Sequence, residues 1–137
     1  MKILIAEDEQ ILANVLKDEL DEVGFETFIA ANGLKALKVM KTKSTRPNLL
    51  LLDILMPVMD GFQVLEEMKK DSVDNLSEIP VIVLSNLGQD DEIKKAIQLG
   101  AADYFVKSQH PISEVVEKVQ GFLEKSGSVA SKKIKKK

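Results

Sequence analysis

Cysteine is absent from the 137-residue chain, which excludes a disulfide framework, thiolate metal sites and cysteine nucleophiles at once. Histidine occurs once, at His110, so a histidine-rich metal centre is excluded too. Long apolar stretches are also missing. No purely apolar run is longer than that at Leu49–Leu52, far short of the ~20 residues that cross a bilayer. The opening Met1-Lys2-Ile3-Leu4-Ile5-Ala6-Glu7 reaches an acid too early for a secretory signal. These absences predict a cytoplasmic protein with no membrane span.

The remaining composition suits one globular domain with a real core, at 45% apolar and 30% charged residues. Charge is unevenly placed. The chain holds 19 basic and 22 acidic side chains, but five lysines (Lys132, Lys133, Lys135, Lys136 and Lys137) crowd the end. Without them 14 basic residues face 22 acidic ones, a net charge of −8. An acidic body with a short basic tail predicts no nucleic-acid binding by this domain and fits a site that gathers carboxylates.

Short apolar runs at residues 2–6, 25–30, 48–52, 81–84 and 104–106 alternate with helical patterns. Three runs, Ile3-Leu4-Ile5-Ala6, Leu49-Leu50-Leu51-Leu52 and Val81-Ile82-Val83-Leu84, are continuous, as in strands buried on both faces of a parallel sheet. The run at 25–30 is broken by Glu26 and Thr27 and suits an edge. Between the runs, Ile11, Leu12, Val15, Leu16, Leu20 and Val23 recur at threes and fours up to Gly24. Asn32 caps a second predicted helix with Leu34, Leu37 and Met40 inside. Asp60-Gly61 opens a third carrying Phe62, Leu65 and Met68. Asp90, Asp91 and Glu92 open a fourth that Gly100 ends, and Pro111 opens a fifth with Val115, Val116, Val119, Phe122 and Leu123 inside. Five strand–helix repeats predict a doubly wound parallel α/β sandwich. After Leu123 the pattern stops, and residues 125–137 read as a flexible, solvated basic tail.

In such a sheet, function gathers where the C-terminal ends of the strands meet solvent. Glu7-Asp8-Glu9 follow the first predicted strand, Asp53 the third, Ser85-Asn86 the fourth and Lys107 the fifth. Carboxylates brought together repel, and a hard divalent cation relieves the repulsion. A carboxylate such as Asp53 can then attack phosphorus and form an acyl phosphate. Lys107 would neutralise phosphoryl oxygens while the Ser85 hydroxyl donates to one of them.

These residues sit in four recognisable blocks: Ile3-Leu4-Ile5-Ala6-Glu7-Asp8-Glu9, Leu51-Leu52-Asp53-Ile54-Leu55-Met56-Pro57-Val58-Met59-Asp60-Gly61, Pro80-Val81-Ile82-Val83-Leu84-Ser85 and Gly100-Ala101-Ala102-Asp103-Tyr104-Phe105-Val106-Lys107. In order and spacing they resemble the receiver (CheY-like) domain of bacterial two-component response regulators, over residues 1–124. The resemblance implies a flavodoxin-like (βα)5 fold with sheet order 2-1-3-4-5. It implies Asp53 as phosphoacceptor, Asp8 and Asp53 as ligands of Mg²⁺ (or Mn²⁺), Glu7 as a ligand mainly through water, and the Leu55 carbonyl as a further ligand. Ser85 and Lys107 would bind the phosphoryl group, and Tyr104 would be the switch aromatic whose ring turns inward. The donor would be a phosphohistidine on a sensor histidine kinase or phosphotransfer protein. The output would be an unidentified protein met by the fourth helix, fifth strand and fifth helix, with a homodimer of the phosphorylated form allowed.

Three departures stand out. Ser108 replaces the proline that usually follows the family's lysine, where the peptide is often cis. Asn86 replaces a small residue, and Leu55 puts no polar side chain two residues after Asp53, so self-dephosphorylation is expected to be slow. His110, before Pro111, reads as an exposed loop residue. A stand-alone regulator is expected, a piece of a longer regulator being the alternative. An aspartate-nucleophile phosphohydrolase of the haloacid-dehalogenase type would need an acid where Leu55 stands. A flavodoxin-like cofactor binder would have its phosphate repelled by Glu7-Asp8-Glu9. The chain is therefore read as a switch rather than a turnover enzyme.

Overall fold

The protein, seen here as a computed structural model, is described over residues 1–125; the basic tail expected at 125–137 lies outside that range from residue 126 on. Its strands are β1 (Lys2–Ala6), β2 (Glu26–Ala30), β3 (Leu49–Leu52), β4 (Val81–Ser85) and β5 (Asp103–Val106). Each is followed by a helix: α1 (Gln10–Glu22), α2 (Gly33–Lys41), α3 (Gly61–Lys70), α4 (Asp90–Gln98) and α5 (Ile112–Lys125). Short 3-10 turns at Lys43–Thr45 and Leu76–Glu78 lead into β3 and β4. All strand pairs are parallel, in the order β2-β1-β3-β4-β5, as the sequence predicts.

The continuous apolar runs form the middle of the sheet because parallel strands with crossover helices are covered on both faces. Successive side chains alternate between two cores. Leu4, Ala6, Leu50, Leu52, Val81 and Val83 pack under α2, α3 and α4. Ile3, Ile5, Leu49, Leu51, Ile82 and Leu84 pack under α1 and α5. The broken run forms edge strand β2, where Glu26 is exposed. Register aligns the strand ends: Ala6 pairs with Ala30 and Leu52, Leu52 with Val83, and Ser85 with Val106.

Helix starts follow the predicted signals. Asn32 Oδ1 accepts from the Lys35 N–H at 2.9 Å, and Asp60 and Gln63 exchange bonds of 2.8 and 2.9 Å in a capping box. The predicted inner faces need correction. Leu16, Leu20, Leu37 and Met40 are buried as predicted, but Ile11, Val15, Val23 and Leu34 are exposed, and Ala13, Gly33 and Ala36 are buried in their place. Small residues carry these contacts because they let the helix approach the sheet closely, so a search for large apolar side chains passes over them.

The segment between Asp53 and α3 is tightly built. Val58 lies at φ 70°, a left-handed conformation costly for a β-branched side chain, and the Met59 N–H closes a turn on the Pro57 carbonyl at 2.7 Å. Gly61 donates its N–H to the Ile54 carbonyl at 2.8 Å, and a Cβ there would lie 2.6 Å from the Asp53 carbonyl oxygen and 2.8 Å from Ile54 Cα. Those two atoms are backbone and cannot swing aside; only the Ile54 Cδ1 methyl, also at 2.8 Å, can. Gly61→Ala is predicted to cost about 2–3 kcal/mol, read as a lower urea midpoint at unchanged slope.

Candidate active site

One residue beyond each strand end, the backbone ladder continues and fixes the polar side chains. The Glu7 N–H donates to the Ala30 carbonyl at 3.0 Å and the Asp53 N–H to the Ala6 carbonyl at 3.0 Å. The Lys107 N–H donates to the Ser85 carbonyl at 2.8 Å. Glu7, Asp53 and Ser85 are all buried, whereas Asp8 and Glu9 are exposed at the rim. One carboxylate oxygen from each of Glu7, Asp8 and Asp53 lies within 4.8 Å of the others.

Lys107 reaches this cluster from β5. Its Nζ is 3.0 Å from Glu7 Oε1, 3.2 Å from Asp53 Oδ2 and 3.4 Å from Glu9 Oε1. The Glu9 N–H also donates to Glu7 Oε2 at 3.0 Å. Burial, and then repulsion from Asp53, push the Glu7 carboxyl up to about 7, against the pull of Lys107 and the Glu9 N–H. Burial would lower the Lys107 ammonium, but contact with Glu7 and Asp53 outweighs it and holds the group above its ordinary value. One cation serves two buried carboxylates, and the shortfall raises the Glu7 carboxyl.

Ser85 and Tyr104 meet at the loop after β4. Tyr104 Oη donates to the Leu87 carbonyl at 2.6 Å, and the Leu87 N–H donates to Ser85 Oγ at 3.3 Å. The ring is partly buried against the core. Burial raises the phenol, while the Ser85 hydroxyl beside it acts in the opposite direction. Asn86 and Leu55 have exposed side chains on the loops flanking Asp53 and Ser85.

Sequence reasoning assigns no role to Glu9 or to the Leu87 carbonyl. A strand-end triple acid pointed to the first, and the second is a backbone atom with no signature. The sequence leaves open whether the peptide after Lys107 is cis; no cis peptide occurs among the described residues, so that bond is trans. One expectation is answered differently. His110 is half-buried rather than exposed: its ring meets Phe105 edge-on at 5.0 Å, and Nδ1 lies 3.0 Å from Glu114 Oε2.

The family profile of the response regulator receiver domain matches residues 3–120. The chain belongs to this family. As a receiver domain it is 38% identical over 122 residues to "Sporulation initiation phosphotransferase F" of Bacillus subtilis (strain 168), covering 89% of this chain and 93% of that one. It is 34% identical over 125 residues to "Probable transcriptional regulator ycf27" of Cyanophora paradoxa, covering 91% of this chain and 49% of that one. The receiver spans about half the length of the ycf27 relatives it matches. Among solved structures it resembles the phosphorylated cyanobacterial phytochrome response regulator RcpA, with a TM-score of 0.75 and 31% identity over 90% of this chain and 91% of that one. No helix among the described residues is long and apolar enough to cross a membrane.

The donor set fits a hard divalent cation, since Glu7, Asp8 and Asp53 offer carboxylate oxygens and outnumber the one ammonium, Lys107, that reaches them. The raised Glu7 carboxyl gives a test in the metal-free protein. A carboxyl raised in the folded state contributes stability fully present below its unfolded value of 4.5, and lost as pH rises through about 7. Glu7→Gln, which mimics the protonated form, is predicted to be more stable than the parent at pH 8, by on the order of 2 kcal/mol. The gap should close below pH 5 in urea unfolding followed against pH.

Proposed function

We propose that this receiver is a cytoplasmic, phosphorylation-switched module whose acceptor is Asp53. The observation that carries the reading is a buried Asp53 carboxylate held 3.2 Å from the Lys107 ammonium, beside Glu7 and Asp8. An Asp53 carboxylate oxygen attacks the phosphorus of a phosphohistidine; an O–P bond forms, the P–N bond breaks, and the imidazole leaves. The donor is a sensor histidine kinase or a phosphotransfer protein, a class to which the similarity with a phosphotransferase of matching length lends support. Asp8, Asp53, Glu7 through water and the Leu55 carbonyl would hold Mg²⁺ (or Mn²⁺), which when bound supplies positive charge against the phosphoryl oxygens. Lys107 orients the same oxygens from the other side, and the buried Ser85 hydroxyl donates to one of them.

Switching follows from the hydrogen-bond chain. A phosphoryl group that claims the Ser85 hydroxyl acts on the loop that also binds Tyr104 through Leu87, and so on the face formed by α4, β5 and α5. That face would meet the output protein, or a second phosphorylated copy. The module turns over no substrate beyond its own phosphoryl group, and Leu55 in place of a second acid disfavours a phosphohydrolase.

Intact mass after incubation with acetyl phosphate and Mg²⁺ tests the reading. One hydroxylamine-labile phosphoryl group is expected on the parent, absent without Mg²⁺ and absent from Asp53→Asn. A parent that gains no phosphoryl group and binds no beryllofluoride would contradict it.

A further inference from the structure

Every charged side chain between Glu26 and Asp53 is basic: Lys35, Lys38, Lys41, Lys43 and Arg46. They lie along α2 and the 3-10 turn after it, in a protein whose body is otherwise strongly acidic. The four lysines are exposed, and among the described residues none of the five has a carboxylate within ion-pair distance. The helix dipole accounts for Lys38 and Lys41 in the last turn of α2, but Lys35 stands in the first turn, where a cation is disfavoured. The dipole therefore does not explain the stripe.

The stripe runs into an open cavity of about 330 Å³ between the 3-10 turn and the segment after α3. Lys41, Lys43 and Arg46 supply its positive wall, and Val73, itself 83% exposed, supplies an apolar one. Arg46 spans the cavity to the Asp74 and Asn75 carbonyl oxygens at 2.7 and 3.0 Å, neutral acceptors that leave its charge free to act. Asp71 Oδ2 accepts from the Asp74 and Leu76 N–H groups at 2.9 and 3.3 Å, which holds the opposite wall in shape. At the other end of the stripe, Leu34 is exposed on the face of α2 that carries Lys38 and Lys41, at i, i+4 and i+7.

We propose that this stripe is a docking surface for an acidic segment of a partner protein. The segment's Asp and Glu side chains pair with Lys35, Lys38, Lys41 and Lys43, and apolar anchors seat on Leu34 and beside Val73. Charge complementarity selects the partner's sign. The carboxylates of Asp74 and Glu78, which line the same cavity, select a peptide over a nucleic acid. A phosphate backbone would carry charge past those two acids, whereas a peptide can place an apolar side chain there. The surface stands apart from Asp53 and needs no phosphorylation chemistry, so the two readings fail separately.

The probe is a fluorescein-labelled 14-residue peptide of glutamates with leucines at its first and eighth positions. It is titrated into the full chain at physiological salt and followed by anisotropy and amide chemical shifts. Saturable one-to-one binding is expected, with shifts gathered at residues 34–46 and 73–78. Lys38→Glu with Lys41→Glu should weaken binding at least ten-fold, and Lys38→Gln with Lys41→Gln by less. Neither should change the yield of acetyl-phosphate labelling at Asp53. Replacing the five terminal lysines by serine should leave peptide affinity intact. Binding that survives the α2 charge reversal, shifts confined to residues 126–137, or tighter binding of a DNA oligomer of equal charge at the same residues would each overturn the proposal.

Discussion

Lys107 Nζ faces more carboxylate charge than one ammonium can neutralise. Glu7, Asp53 and Glu9 all lie within 3.4 Å of it, and the first two are almost fully removed from water. Burying charge costs several kcal/mol per ion unless the partner and its hydrogen bonds compensate. Here the compensation is incomplete, and burial with repulsion from Asp53 raises the Glu7 carboxyl. A site in that state favours any incoming positive charge at the rim. It is also poised for a group whose oxygens can take over the lysine.

The fold exists to hold this arrangement together. Glu7, Asp53, Ser85 and Lys107 come from the ends of four different strands, and none would meet another without the parallel order of β1, β3, β4 and β5. Ladder bonds extended one step past the strands clamp Glu7, Asp53 and Lys107 by their main chains, so the side chains need to order little more than themselves. Gly61 lies flat against the backbone of Asp53 and Ile54 and brings α3 close behind that aspartate. By contrast, α4 fully buries only Ala96. Of the five helices it is the one least tied to the core, and it begins five residues after Ser85.

Much of this was legible in the sequence. Continuous apolar runs gave the buried strands, the Glu26-Thr27 interruption gave the edge, and polar residues immediately after the runs gave the site. What escaped has physical causes. Ile11, Val15 and Leu34 fit a helical period, yet the sheet is met by Ala13 and Ala36, because close approach rewards small side chains over large ones. The Tyr104 hydroxyl finds a main-chain oxygen, Leu87, which no residue type could announce. His110 was read from its loop, whereas Phe105 and Glu114 draw it half under cover.

The account turns on charge balance at Lys107, and removing that ammonium tests it most directly. Urea unfolding of Lys107→Ala beside the parent, at pH 8 and pH 5, with and without millimolar Mg²⁺, is the measurement. Without Mg²⁺ at pH 8, the variant should lose about 2–4 kcal/mol, since two buried carboxylates are left facing each other. Most of that loss should return at pH 5, where Glu7 is protonated, and most should return on adding Mg²⁺. A variant as stable as the parent at pH 8, or a loss indifferent to both pH and Mg²⁺, would contradict the account.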